Sequence, residues 1–340
     1  MNKVKISKKA ILICLALLIL AIFPLFANSN YIISVGVFFC TFACLGSAWN
    51  IIGGYAAQIS WCHAAFVAIG SYTSFILFNN YGISPWLGML LGAFISAIVA
   101  TIIGSISFKL RGPFFSLSTI GFAELVKVFL LYKKDLTKGA NGLVITFKED
   151  NFWHLTFSSD KMYYYILLVF LIITVCVVRI IEKSRLGYYL KAIRADEDAV
   201  QSLGINSNQV KLKAFVISSI IASIVGTIYA FFLSYIDPAS VGGLDLSTKI
   251  GTMAIVGGLG TIGGPIIGSF FLVILSEVTN IFLGESGAGM LLYGIMMIVV
   301  FIFKPEGLIG IFNKKTLHRI KEFIKGKRRE SANGNTIEAK

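Results

Sequence analysis

Five glycines crowd into the eight residues Gly257–Gly264 (GGLGTIGG), a density that can wrap backbone N–H groups around a phosphate. A phosphate loop also needs a Gly-Lys-Ser/Thr ending, because an ammonium and a hydroxyl must reach the phosphates and their metal. Pro265 follows Gly264 here, in an apolar run. Nucleotide chemistry is therefore not expected of this chain, and Gly257, Gly258, Gly260, Gly263 and Gly264 read as a buried backbone bend. His63, His154 and His318 lie far apart, with no HExxH or CxxC pattern, so neither a metal centre nor enzymatic catalysis is expected. What remains is polar side chains set in apolar surroundings. Asn50, Gln58, Ser60 and His63 form one cluster; Ser116, Thr119 and Glu124 form another, with Lys127 three residues beyond Glu124. At membrane depth such groups are costly unless they face partners or a water-filled path. They are candidates for a transport path or for hydrogen bonds between helices. Glu124 and Lys127 share a helix face and can partly neutralise each other.

The elements that carry these residues are membrane spans. Only 14% of the 340 residues are charged and 56% are hydrophobic, and the mean hydropathy is +0.81; a soluble domain carries about 25% charged residues. Apolar windows recur along the chain at the roughly 20 residues a bilayer requires, so the expected fold is all-α and polytopic, with about 8–10 transmembrane helices including short or re-entrant ones. Cys14, Cys40, Cys44, Cys62 and Cys176 all fall in apolar runs and read as small buried hydrophobes. The net charge of +13 reflects topology and not nucleic-acid binding. Twenty-three of the 30 Lys and Arg residues lie before the first apolar run, beside Leu110, within 179–213 or after Phe303. Basic loops face the cytoplasm, so both termini and the 182–213 loop are expected inside, and the 133–162 loop, with its turns and mixed charges, outside.

Residues 1–312 read as one membrane domain. Its first run, Ala10–Phe26, has the flanks of a retained anchor or a signal peptide, retention being the stronger reading. Spans follow over Tyr31–Ile52, to Phe78, over Pro85–Phe108, Phe114–Tyr132, Tyr163–Ile181 and Ala214–Tyr235. Lys249–Leu259 is too short to cross, and a last span is expected over Gly289–Phe303. The basic tail, 313–340, places Leu317, Ile320, Phe323 and Ile324 on one face of a short helix suited to the membrane surface; from about 327 it is too polar to fold.

The longest polar interruption is Ser184–Lys213. Within it Arg194–Gly204 (RADEDAVQSLG) reads as one short amphipathic helix. Asp196, Glu197 and Asp198 suit its positive N-terminal end, Ala195, Ala199 and Leu203 share a small apolar face, and Gly204 ends it. A helix of this kind fits a groove on another protein.

Asp198–Gly204 resembles the EAA-x-x-x-G loop of ABC importer permeases. The run SRLGYYLKAIRADEDAVQSLGIN, with RGPFFSLSTIGFAEL, TKGANGL, GGLGTIGGPIIGS and KPEGLIG in order, resembles the LivM-type permease of branched-chain amino acid importers over most of 50–312. Trp61-Cys62 stands where that family more often has Leu-Gly, and Lys138 where it has a second glycine. The resemblance implies an ABC importer permease fold in a bacterial or archaeal cytoplasmic membrane. It also implies a related second permease subunit, two ATPase subunits that bind ATP and Mg, and an extracytoplasmic solute-binding protein, with membrane lipid around it and no cofactor in this chain. The ATPase-coupling residues would be Arg194, Asp196, Glu197, Asp198, Ala199, Leu203 and Gly204. Leucine, isoleucine and valine are the implied solutes; urea or short amides, and an ATP-independent secondary transporter, are the alternatives.

Overall fold

The computed structural model describes residues 18–26, 29–145, 149–283 and 307–312, with single positions between 284 and 306. Most of the last span expected over Gly289–Phe303, the basic tail and residues 10–17 of the first apolar run lie outside the described residues. The regular structure described is helical apart from one two-stranded pairing and a lone bridge between Asn151 and Thr156. Helix α1 (18–26) precedes α2 (Asn30–Gly53), α3 (His63–Tyr81), α4 (Pro85–Ser107) and α5 (Pro113–Tyr132). After α6 (Lys134–Thr137) come α7 (Asp160–Lys183), α8 (Arg185–Ala195), α9 (Glu197–Ser202) and α10 (Ser207–Leu233). The chain then forms α11 (Pro238–Gly242), α12 (Leu244–Gly257) and α13 (Gly264–Leu283).

Six of these, α2, α4, α5, α7, α10 and α13, are long and apolar enough to cross a membrane. The protein is a multi-pass membrane protein of all-α class. Helix α10 is its axis. Its 27 residues rise about 40 Å at 1.5 Å each, more than the ~30 Å hydrocarbon core, and it packs on α2, α3 and α4. Little hydrophobic force drives helices together in lipid, so small residues and buried hydroxyls do the joining. Ser71 Oγ donates to the Gly226 carbonyl at 3.0 Å, and Ser218 Oγ donates to the Ala48 carbonyl at 2.6 Å.

The length of α10 separates two ends. At one, Arg111 of the α4–α5 turn pairs with Asp198 of α9; at the other, β1 (Leu143–Val144) pairs antiparallel with β2 (Tyr235–Ile236) just after α10. The 133–162 loop thus sits at the opposite end from 184–206. Outward-facing side chains on α4 run Leu87, Leu90, Phe94, Ile98, Ile102 and Ile106, a helical stripe suited to lipid. Cys40, Cys44 and Cys62 are buried as expected, but Cys176 is exposed. It lies on the outer side of α7, where lipid satisfies an apolar thiol as well as protein does.

Helix α12 has 14 residues, about 21 Å, which is short of the bilayer core. It doubles back onto α13 through the glycine-rich turn, the two helices packing along each other.

Candidate functional site

The loop expected to hold one helix over Arg194–Gly204 holds the ends of two. Asp196 is extended (φ −159°, ψ 108°), closing α8 and capping α9, and its Oδ1 accepts the Ala199 N–H at 3.0 Å. An aspartate offered at that position competes for the backbone and starts a new helix there. Arg194 and Ala195 therefore belong to α8, and the apolar face is split between two helices. Gly204 follows α9 with φ +80°, as a helix-ending glycine does.

None of the three acidic residues is left to a partner. Asp196 is spent on the cap. Glu197 Oε1 accepts from Lys211 Nζ at 2.6 Å and from Ser207 Oγ at 2.8 Å. Asp198 pairs with Arg111 at 2.8 Å, both largely exposed. Burial raises the Glu197 carboxyl, but the Lys211 and Ser207 hydrogen bonds and the charges of Lys211 and Arg111 outweigh it and hold it below the ordinary carboxylate value. Arg194 Nη1 donates to the Gly54 carbonyl at 2.6 Å. The α8–α9 pair is thus tied by charged groups to the end of α2, the α4–α5 turn and the start of α10. Val200, Leu190 and Ile193 are buried against the bundle. Ala195, Ala199 and Leu203 face outward, Leu203 being 80% exposed.

The ties continue to the glycine turn. Asn50, wholly buried on α2, donates from Nδ2 to the Thr261 carbonyl at 2.8 Å and accepts the Gly260 N–H at its Oδ1 at 2.9 Å. It brackets the bend with both halves of its amide. Gly257, Gly258 and Gly264 are buried, Gly260 and Gly263 half-buried. Asn50→Leu strands two backbone groups that nothing else described satisfies, so it is expected to destabilise the chain by about 2 kcal/mol. Thermal unfolding in detergent measures this, and a melting point unmoved from wild type would remove the bracket role.

The other polar candidates join elements. His63 Nε2 and Ser218 Oγ lie 2.7 Å apart between α3 and α10. The Ser60 carbonyl accepts the Trp49 indole N–H at 2.6 Å. Ser116 Oγ donates to the Ile59 carbonyl at 2.8 Å, and Thr119 Oγ1 accepts the Trp61 N–H at 3.0 Å. Asn50, Ser60, His63 and Thr119 are buried side chains; Gln58 is half-buried in the 54–62 connector. Glu124 stands apart. It pairs with Lys127 at 2.5 Å, with 41% of its side chain exposed and 24% of the lysine's. Among the described residues no three His, Cys, Asp or Glu gather to hold a metal.

Sequence reasoning missed Lys211, counted only as a topological charge. Ser207, Lys211, Ala214 and Ser218 recur at helical spacing and are all buried, so the stripe that continues from Ala214 into the loop was the available signal. Arg111 and Gly54 carried no local signal.

A polytopic helical bundle that carries a small outward-facing helix pair tied to the ends of its spans is built as the membrane component of a transporter. The chain belongs to the family described as branched-chain amino acid transport system / permease component, whose model matches residues 31–301. It is similar to the high-affinity branched-chain amino acid transport system permease protein LivM of Escherichia coli, at 28% identity over 88% of this chain and 74% of that one. LivM of Salmonella typhimurium matches at 27% with the same coverage. The permease BraD of Pseudomonas aeruginosa matches at 26%, over 79% of this chain and 92% of its own. No solved structure matches significantly.

Proposed function

We propose that this chain is one of two membrane subunits of an ATP-driven importer for leucine, isoleucine and valine. It works with a related permease, two ATPase subunits that bind ATP and Mg, and an extracytoplasmic binding protein. The observation that carries this reading is the clamped α8–α9 pair: anchored by Arg194 of α8 and by Glu197 and Asp198 of α9 to the end of α2, to α10 and to the α4–α5 turn, it leaves Ala199 and Leu203 outward. The excess of Lys and Arg at that end supports a cytoplasmic location for it, by the positive-inside rule, in the cytoplasmic membrane with both termini inside. Closure of the ATPases on ATP then displaces α9, and the three charged ties pass the displacement into the spans. The bias comes from tighter ATP binding to one arrangement of the complex than to the other.

The test is co-purification together with uptake. ATPase subunits are expected in the detergent-solubilised complex, and uptake is expected to stop on ATP depletion; a complex without them that still takes up leucine would sink the proposal. Leu203→Asp places a charge on the docking face without touching the ties. Leucine uptake in cells expressing that variant is expected to fall about 10-fold or more, as at interface anchors, with the chain still in the membrane.

A further inference from the structure

We infer that Glu124 and Lys127 form a zwitterion subsite on the solute path, Glu124 receiving the α-ammonium and Lys127 the α-carboxylate of the transported amino acid. The inference rests on the proposed function above. Helix α5 is the least buried of the six candidate spans, and Glu124 is its twelfth residue, about 17 Å along a helix of about 30 Å. A partly exposed charged pair at that depth is costly against lipid and is favoured facing water or another protein.

The surroundings say which. Going outward from the α8–α9 end, Thr119 on α5 holds the Trp61 N–H, and the Trp61 ring lies against Gly251 of α12, where an added Cβ would sit 3.0 Å from its Cζ3. Trp61 thus bridges α5 and α12. Beyond it α5 presents Glu124 and Lys127, while α12, running the opposite way, presents Asp245 and Lys249 to the outside, with Thr248 and Thr252 half-buried on the same face. Each of these two helices, joined through Trp61, therefore carries charged side chains that the described residues leave partly open, on a side that a second permease would close. Beside Glu124, Leu117 and Val128 are exposed, and Gly121 has open space where a Cβ would stand. An aliphatic side chain fits there while its charged head group meets the pair. The apolar cavity of about 580 Å³ on the other flank of α5, lined by Tyr72, Val99, Phe122 and Phe129 with Lys133 among its walls, offers a zwitterion no carboxylate.

A pair that only neutralises itself and a pair that receives solute respond differently to joint neutralisation. The complete complex is reconstituted in proteoliposomes with the wild-type chain, with Glu124→Gln/Lys127→Gln, and with the swap Glu124→Lys/Lys127→Glu, which keeps an ion pair and so the assembly. Radiolabelled leucine uptake and ATP hydrolysis stimulated by the binding protein are both read. The subsite predicts uptake reduced about 10-fold or more in both variants, since each loses or inverts charge-assisted contacts worth about that much, with ATP hydrolysis retained. Uptake within twofold of wild type in either variant overturns the subsite and leaves the importer reading intact. A wild-type complex that imports no branched-chain amino acid overturns both.

Discussion

Glu197→Ala is expected to destabilise the protein by about 3–5 kcal/mol, the range for removing one partner of a buried ion pair. The size comes from the residue left behind. Lys211 is only 1% exposed, sits 5.5 Å from the Phe108 ring centroid and has its ammonium 2.6 Å from the Glu197 carboxylate. Without that carboxylate a desolvated ammonium keeps only a ring face, a contact worth about 2 kcal/mol when desolvated and without the opposite charge that offset its burial. Adding Lys211→Met removes the stranded charge and keeps the volume, so the double variant is expected to recover most of the loss. Thermal unfolding of single and double variants in detergent separates the cases. Equal losses in both would mean that the carboxylate acts through packing and not through charge.

The same pair gives the α9 anchor a pH dependence. The folded state holds Glu197 below the ordinary carboxylate value, so the unfolded state binds the proton more readily. Its stabilisation is therefore complete above the unfolded carboxylate's value and is lost as pH falls through the folded one. The acid limb of a stability profile is expected to flatten in the double variant.

How much of this was legible in the sequence differs from element to element. The spans were legible because lipid enforces long apolar runs: Pro85–Phe108 was expected, and α4 covers Pro85–Ser107. Ala214–Tyr235 was expected as a span, but α10 starts at Ser207, since a helix continues past the bilayer while apolarity does not. The α8–α9 break was misread because one extended residue ends a helix without disturbing the hydrophobic pattern around it, and a capping aspartate looks in sequence like a dipole-compensating one. Asn50 and the glycines were singled out separately. Their junction was not legible, as 210 residues separate Asn50 from Gly260 and only the folded backbone brings them together. The pairings of Glu197 with Lys211 and of Asp198 with Arg111 are equally non-local, which is why three acidic residues in a row looked available to a partner when each was already in use.

Glycine density was visible in the sequence, but which glycines are indispensable depends on what their missing side chains would strike. A Cβ on Gly257 would overlap the Gly264 carbonyl oxygen and stand 2.9 Å from the Gly268 N–H nitrogen, and a Cβ on Gly268 would overlap the Met253 carbonyl oxygen. Backbone faces backbone where α12 leaves the turn and α13 returns, so neither side has a flexible chain that can give. Gly257→Ala is expected to destabilise the protein by about 3 kcal/mol or more, at or beyond the usual range for overpacking. Gly263→Ala is the control within the same cluster. Its nearest neighbour is the tip of Ile309, 3.2 Å away, which can swing aside, so the expected change is within about 0.5 kcal/mol. Melting temperatures of the two purified variants decide between a rigid crossing and a slack glycine linker, because a slack linker predicts that both alanines are tolerated. A rigid crossing has a functional side as well. The turn is bracketed by Asn50, and the Gly54 carbonyl four residues beyond Asn50 is held by Arg194 of α8. Loosening Gly257 is therefore expected to lower uptake even where enough folded protein survives to be assayed, and uptake per folded molecule equal to wild type would confine the glycine to a folding role.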